Sequence, residues 1–293
     1  MQPRDFDTMP LVNASPDRPL GVRAQGLTDR GRVRPDNEDQ FAIAELGRAL
    51  RVTQSSLGPE LRFSDAHATL LVVADGMGGH RAGEVASSLA VSAVESSVLE
   101  SLRTSAGLDS DEILERLCAA VRDADQRIFE QASQRADQRG MGTTLTVAYA
   151  VRSMLFVAHV GDSRLYLHRG GRLHQITRDH TLVTEMVERG ALAPQMATSH
   201  PLRHVITNAV GGAEPGLKVE PHQLPLEPGD VVLLCSDGLT EMVPDQQIAE
   251  MLERHREPSA ASSQLVAAAL GAGGRDNVTA VVARFDALEL DDR

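Results

Sequence analysis

The sequence predicts a single α+β domain built around antiparallel sheet, and three observations predict it. Thr143 to Val151 and Met154 to Val160 are two runs rich in β-branched residues with only Arg152-Ser153 between them, and Arg164 to His168 and Arg172 to Ile176 flank Gly170-Gly171. Hairpins in succession make antiparallel pairing the natural arrangement. Apolar residues recur at helical spacing in two long segments, Ala82 to Val94 and Asp109 to Ile128, as a helix with one buried face requires. After residue 20 no break in composition and no internal repeat divides the 293 residues, a length that one large domain accommodates.

Taken in order, residues 1–20 hold Pro3, Pro10, Pro16 and Pro19 among polar neighbours without periodicity and are expected to form a flexible tail. Val22, Ala24 and Gly26 alternate onto one face, and a second extended run covers Gln40 to Leu46; these two are expected to pair as strands across a charged loop. Residues 47–67, with the breaker Ser55-Ser56-Leu57-Gly58-Pro59, read as an inserted hairpin or loop. Ala68 to Ala74 is a short apolar strand that ends at Asp75-Gly76-Met77-Gly78-Gly79-His80. The first helix carries Val85, Leu89 and Ala93 beside Ala86, Ala90 and Val94. The second opens on Asp109, with Glu112 placed to complete a capping box, and carries Ile113, Leu117, Val121 and Ile128 until Gly140 ends it. Beyond the hairpins, the polar stretch 177–212 suits a surface flap containing a short helix (Leu182, Val183, Met186, Val187). Asp230 to Cys235 is another apolar strand ending in an acid, Ser236-Asp237-Gly238. Helices near Gln246 to Glu253 and Ala260 to Leu270 lead to Gly274-Arg275-Asp276-Asn277, a final strand runs from Val278 to Phe285, and 288–293 form a short tail.

Composition excludes several functions. The formal net charge is −12 and aromatic residues make up 3% with no Trp, which argues against a phosphate-neutralising nucleic-acid groove or a base-stacking platform. Among the 29 basic residues Lys218 is the one lysine, and it lies in neither a GxxxxGK loop nor a VAIK-like strand, which disfavours the usual nucleotide-dependent phosphoryl transfer. The apolar runs fall well short of the ~18 residues that span a bilayer, and no signal segment opens the chain. Two cysteines, Cys118 and Cys235, make no disulfide framework, so a reducing cytoplasm is the expected compartment. The sixth positions after them are Ala124 and Glu241, which excludes a Cys-x₅-Arg phosphatase loop.

Three aspartates stand at strand ends or in glycine turns: Asp75 before Gly76, Asp237 before Gly238, and Asp276 after Gly274-Arg275. Hard divalent cations such as Mg²⁺ and Mn²⁺ take carboxylate, carbonyl and water oxygens, and a glycine after the acid lets the backbone turn and its carbonyl approach an ion. One Asp-Gly is an ordinary turn, but two that each follow a fully apolar strand are not explained by turn formation. Arg34 lies close to Asn37-Glu38-Asp39, and a guanidinium matches phosphate oxygens in fork geometry. Alone, such a mixed-charge loop is a solvated surface; beside an acid cluster it suggests phosphate recognition.

Six segments, in order, closely resemble the motif series of the metal-dependent protein Ser/Thr phosphatases of PPM type, also called protein phosphatase 2C, in their bacterial branch. They are Arg34-Pro-Asp-Asn-Glu-Asp39, Ala74-Asp-Gly-Met-Gly-Gly-His80, Gly140-Met-Gly-Thr-Thr144, Val160-Gly-Asp-Ser-Arg164, Leu234-Cys-Ser-Asp-Gly-Leu239 and Gly274-Arg-Asp-Asn-Val-Thr279. The resemblance covers about residues 21–286. It implies a four-layer α/β/β/α sandwich, two antiparallel sheets flanked by helices, with a binuclear Mn²⁺ or Mg²⁺ site at one end of a domain spanning 21–287. It implies that Asp75 bridges the metals, that Asp237 and Asp276 complete one of them, and that the Gly76 carbonyl serves the other. Glu38 and Asp39 hold that second ion through its waters, Arg34 binds the phosphoryl group, and Asp137 serves a third, weaker ion. Asp162 is expected to be a fold-supporting turn residue.

The implied reaction is hydrolysis of phosphoserine and phosphothreonine in proteins by a metal-bridging hydroxide, opposing a bacterial Ser/Thr kinase. Where eukaryotic members place a His in the DGxGGH loop, proposed as the leaving-group acid, this chain has Met77, so that role is unassigned. His159, His200 and His204 lack metal-ligand spacing and are expected in the core or at the surface. Two rivals stand beside this reading: a non-catalytic phosphoprotein-binding regulator of the same fold, which would be expected to have lost the metal acids, and a metal phosphodiesterase acting on nucleotides, which the −12 charge opposes.

Overall fold

A computed structural model describes residues 20–47, 68–78, 82–101, 108–197, 199–212 and 217–288. The expected tails and the 47–67 segment fall, apart from Leu20, Gly47 and Leu288, outside the described residues, as does His80. Strands β1 (Leu20–Asp29), β2 (Asp39–Leu46) and β3 (Ala68–Met77) precede the long helices α1 (Ala82–Ser101) and α2 (Ser110–Gln134). Then follow β4 (Gly142–Thr143), β5 (Leu145–Val151), β6 (Met154–Val160), β7 (Arg164–Arg169) and β8 (Arg172–Gln175). The flap segment holds α3 (Leu182–Glu188), α4 (Pro194–Ala197) and β9 (Val210–Gly211). The chain continues with β10 (Glu220–Pro225), β11 (Val231–Cys235), α5 (Asp237–Thr240), α6 (Asp245–Arg254), α7 (Pro258–Gly271) and β12 (Val278–Ala287).

The strands form two antiparallel sheets, one in the order β1-β12-β11-β7-β8, the other β10-β6-β5-β3-β4-β9 with β2 on the free side of β3. Alternation along each central strand builds three apolar layers. Leu70, Val72 and Ala74 of β3 meet α1 and α2, while Leu71 and Val73 turn inward to Val232 and Leu234 of β11 and Val281 and Phe285 of β12. On the far side Val231, Leu233 and Cys235 pack with Ile248, Leu252 and Leu265 of α6 and α7. Sheets buried on both faces explain why β3 and β11 read as continuous apolar runs rather than alternating ones. The four-layer sandwich is the arrangement that the resemblance implied.

Two expectations are corrected. β1 and β2 do not pair: β1 pairs along its whole length with β12, and β2 with β3. They face one another across the interior instead, with Val22 and Ala24 packed in the same layer as Phe41 and Ile43, and the Phe41 ring occupies the space a side chain on Gly26 would need. The loop between them therefore crosses from one sheet to the other. The second helix stops at Gln134, with a 3₁₀ turn (Ala136–Gln138) before Gly140. Its start is as read, with Glu112 N–H donating to Asp109 and the Glu112 carboxylate accepting from Asp109 N–H. Cys118 is buried on this helix and Cys235 under α6 and α7, both as free thiols. Among the described residues no helix is long and apolar enough to cross a membrane.

Candidate metal centre

The crossing loop is what assembles the site, because it brings the start of β2 beside the ends of three other strands. Antiparallel pairing sets Asp39 directly opposite Asp75. On the other sheet β11 ends one residue before Ser236, Asp237 opens the short α5, and Asp276 precedes β12. The two Asp-Gly steps are needed for close approach rather than for a left-handed backbone. A Cβ on Gly76 would lie 2.2 Å from the Gly83 carbonyl oxygen and 2.8 Å from that of Glu38; one on Gly238 would lie 1.9 Å from the Asn277 carbonyl oxygen. At both steps another backbone segment packs where a side chain would go.

The acids are buried or partly buried without enough cations to balance them. Asp39 is 1% exposed, and its Oδ2 accepts from the Ser236 and Thr279 hydroxyls, each at 2.7 Å, while its Oδ1 has no partner. Burial pushes its carboxyl up to about 6 against the help of those two donors. Burial, then the charges of Asp39 and Asp237, push Asp75 well above the carboxylate range. Asp237 moves the same way through burial and the proximity of Asp162 and Asp276. Its Oδ1 is also buried without a partner. Arg34 Nη2 reaches Asp276 Oδ2 at 2.6 Å and is itself half-exposed.

Asn277 fixes the crossing loop. Its Nδ2 donates to the carbonyls of Arg30 (2.8 Å) and Asp36 (2.9 Å), and its Oδ1 accepts from Glu38 N–H at 2.8 Å. Thus the residue after Asp276 also holds the loop that carries Arg34 and Glu38. The Glu38 carboxylate packs on Gly83, at the start of α1, where a Cβ would come within 2.7 Å of it; burial raises its pKa.

Asp137 is not brought to this cluster. It is exposed on the 3₁₀ turn after α2, whereas the acid nearest in effect to Asp237 is Asp162, read from sequence as a turn residue. Asp162 is 8% exposed, and burial, followed by repulsion from Asp179, lifts its pKa to about 7. Asp162 and Asp237 line a cavity of about 340 Å³ that Ala197, Arg203 and His204 of the 177–212 stretch also line. There His204 Nδ1 lies 2.5 Å from Glu241 Oε1, and ligand atoms of His204, Asp237 and Glu241 lie within 4.8 Å of one another. His159, by contrast, is fully buried, and His200 is partly buried, with its Nδ1 accepting from Leu202 N–H at 3.2 Å. Met77 is partly buried, opposite Gly142 in the β3–β4 register.

A family model described as protein phosphatase 2C matches residues 60–272. The chain belongs to the protein phosphatase 2C family. It is 35% identical over 265 residues to the serine/threonine phosphatase stp of Listeria monocytogenes, covering 90% of this chain and 96% of that protein. It is 41% identical over 270 residues to the serine/threonine protein phosphatase PstP of Mycobacterium tuberculosis, covering 90% of this chain and 45% of that one. A crystal structure of the M. tuberculosis phosphatase PstP/Ppp superposes with a TM-score of 0.75 at 37% identity, over 91% of this chain and 99% of that one. The PstP catalytic domain in complex with two manganese ions gives 0.72 at 36% identity, over 91% and 99%.

The residues present fit the cations of protein phosphatase 2C. Every donor in the cluster is an oxygen, which suits Mn²⁺ or Mg²⁺, and two buried carboxylate oxygens lack partners, a state that protein interiors otherwise avoid. Sequence reading missed the Ser236 and Thr279 hydroxyls, the Asn277 staple and Asp162. All four lie inside the quoted motifs, so the available signal was the motif itself rather than any residue's spacing.

Proposed function

We propose that this chain hydrolyses phosphoserine and phosphothreonine in proteins with the help of two divalent cations. The observation that carries the reading is the convergence of Asp39, Asp75, Asp237 and Asp276, with orphaned buried oxygens on two of them. Asp75 and the Gly76 carbonyl, with Asp237 and Asp276, would hold the ions, and Asp39 and Glu38 would hold their waters. Bound there, the two ions supply positive charge for the phosphoryl oxygens and make a water acidic enough to attack at neutral pH.

The protein's own residues supply the rest. Arg34, exposed enough to leave Asp276, forks onto two phosphoryl oxygens. The Ser236 and Thr279 hydroxyls hold Asp39 Oδ2 and so fix the direction of its free oxygen. Asn277 keeps the Arg34 loop from drifting when substrate arrives. Met77 has no proton to give a leaving alkoxide.

The placement of Asp162 against Asp237 supports Asp162, rather than Asp137, as the acid for a third and weaker ion. In this reading 21–287 is one catalytic domain with 177–212 as its flap. The partners are phosphoproteins, and the opposing enzyme is a Ser/Thr kinase in a cytoplasmic signalling system. The test strips the protein with chelator and follows phosphate release from a phosphothreonine peptide as Mn²⁺ is restored. Metal-dependent turnover abolished by Asp75→Asn and Asp237→Asn supports the reading. Metal-independent turnover, or peptide binding with no release, overturns it.

A further inference from the structure

Behind the Gly161–Asp162 turn lies a buried polar chain that the hydrolytic cluster does not use. His180 sits at the root of the flap and is 6% exposed. Its backbone N–H donates to the Gly161 carbonyl at 2.7 Å, and its ring Nδ1 accepts the Gly161 N–H at 3.1 Å, so that it holds the two peptide groups flanking the Gly161 Cα. The Asn208 amide nitrogen also lies 3.0 Å from Nδ1. That amide's orientation is set by Lys218, whose carbonyl takes the Nδ2 proton at 2.7 Å and whose N–H gives to Oδ1 at 3.2 Å. With two N–H groups aimed at it, Nδ1 carries no hydrogen, and Nε2 donates to Glu220 Oε2 at 3.1 Å. Glu220 is held in turn by His222 Nε2 at 2.6 Å and by the Arg178 N–H at 3.1 Å.

The arrangement is a carboxylate orienting an imidazole that orients a backbone amide, the logic by which outer groups fix metal ligands. It is tied to both ends of the flap, since the His180 carbonyl accepts from Thr207 N–H at 2.9 Å and Thr181 bridges Ile206. It is tied also to the acid cluster. Ser163, next to Asp162, shares a 2.8 Å hydroxyl contact with Thr144, whose Oγ1 accepts the Asp75 N–H at 2.9 Å. Asp162 is thus set between a contact to Asp75 on one side and the flap root on the other.

We propose that His180, oriented by Glu220, is a positioning residue that fixes Asp162 toward Asp237 and so links the seating of the flap to cation binding at that pair. The inference rests on the metal-centre reading for the role of Asp162, but its test does not depend on catalysis. Because linkage is reciprocal, a loosened flap root weakens the ion at Asp162, and that ion steadies the flap.

The experiment measures Mn²⁺ binding to the metal-stripped full chain by titration calorimetry, for wild type, Asp162→Asn, His180→Gln, His180→Asn and Glu220→Gln. Glutamine keeps a donor near the Nε2 position and loses the acceptor for Gly161; asparagine keeps an oxygen near the Nδ1 position. Expected is that His180→Gln weakens the weakest Mn²⁺ about tenfold, the scale of outer-shell losses, with the tighter ions within about twofold. Asp162→Asn should remove the same ion, His180→Asn should restore most of the loss, and Glu220→Gln should show a smaller loss of the same ion. The Mn²⁺ concentration for half-maximal phosphopeptide turnover should rise in step, with kcat recovering at saturation. Unchanged affinities in His180→Gln, equal weakening of every ion, or an asparagine variant as impaired as the glutamine one overturns the proposal. If His180→Gln does not fold, Glu220→Gln decides by the same readout. Shifted Mn²⁺ affinities without turnover on any phosphopeptide would leave this inference standing and remove the phosphatase reading.

Discussion

Two polar clusters in this molecule are solved in opposite ways. Around His159, His180 and Glu220 each ring nitrogen has a partner: His159 Nδ1 meets the Thr146 hydroxyl at 2.9 Å, and its Nε2 meets the carbonyls of Gly161 and Arg178 at 3.0 and 3.1 Å. Around Asp39, Asp75 and Asp237 like charges are pressed together, two buried oxygens have no partner, and the nearby guanidinium of Arg34 binds Asp276 instead. A satisfied network rigidifies; an unsatisfied one of a single sign is held at the expense of stability for something that binds there. The difference supports the proposed reading of the second cluster as the ligand site and of the first as its support.

The largest effect expected from breaking this contrast is at Asp75. Asp75→Asn should lower phosphopeptide turnover roughly 10³-fold or more, as loss of central charge stabilisation does. It should also raise the melting temperature of the metal-free protein, because it removes one of several crowded carboxylates. A metal-free variant less stable than wild type would mean that the acids are not in conflict. Next, Mn²⁺ should stabilise the wild-type chain against urea by about 2.7 kcal/mol at a hundred times its dissociation constant. That gain should be largely absent in Asp237→Asn; an equal gain there would place the ion elsewhere.

The satisfied cluster predicts a smaller effect through pH. Burial, followed by the neighbouring His180, pushes the His159 imidazole down to about 4 from an ordinary 6.5. The unfolded chain therefore takes up a proton that the folded one refuses, and the stabilisation is complete above pH 6.5 and lost as pH falls toward 4. Between pH 7 and 5 this amounts to roughly 2 kcal/mol. Glu220 acts in the same direction lower down. Burial would raise its carboxyl, but the His180 and His222 hydrogen bonds hold it well below its usual 4.5, so its contribution is lost as pH drops through the acid range. Urea unfolding at the two pH values should show His159→Gln with a shallower dependence than wild type; parallel curves would contradict the assignment. The smallest effect is at the exposed Asp137, where Asp137→Asn should change stability by less than about 0.5 kcal/mol and leave Mn²⁺ titrations unaltered.

The elements were legible because both periodicities are clean: β3 and β11 are continuous apolar runs, α2 carries a single stripe with a capping box, and the hairpin at Arg152-Ser153 is short enough to force pairing. What was not legible was partnership. Val22 and Ala24 alternate as a strand does, but nothing in them says that β12, more than 250 residues away, is the neighbour, and the nearby β2 was the wrong choice. Asp137 and Asp162 show the same limit, since spacing alone does not say which of them lies near Asp237. Both are acids in or just before a glycine-containing motif, and in the fold Asp162 lines one cavity with Asp237 while Asp137 is exposed after α2.

The sequence by itself determined the long helices and central strands (though not β10 or α5), the acidic strand ends and, through six ordered segments, the family, because these rest on residue identity and on local spacing. Tertiary structure alone decided which acids face one another, which oxygens remain unpaired and which histidines are locked. Those depend on the crossing of the loop after β1 from one sheet to the other, and on contacts between residues far apart in the chain, such as Asp39 with Thr279, 240 positions away. Local propensity carries no information about such pairs; burial and the requirement to satisfy polar groups select them only once the two sheets are packed.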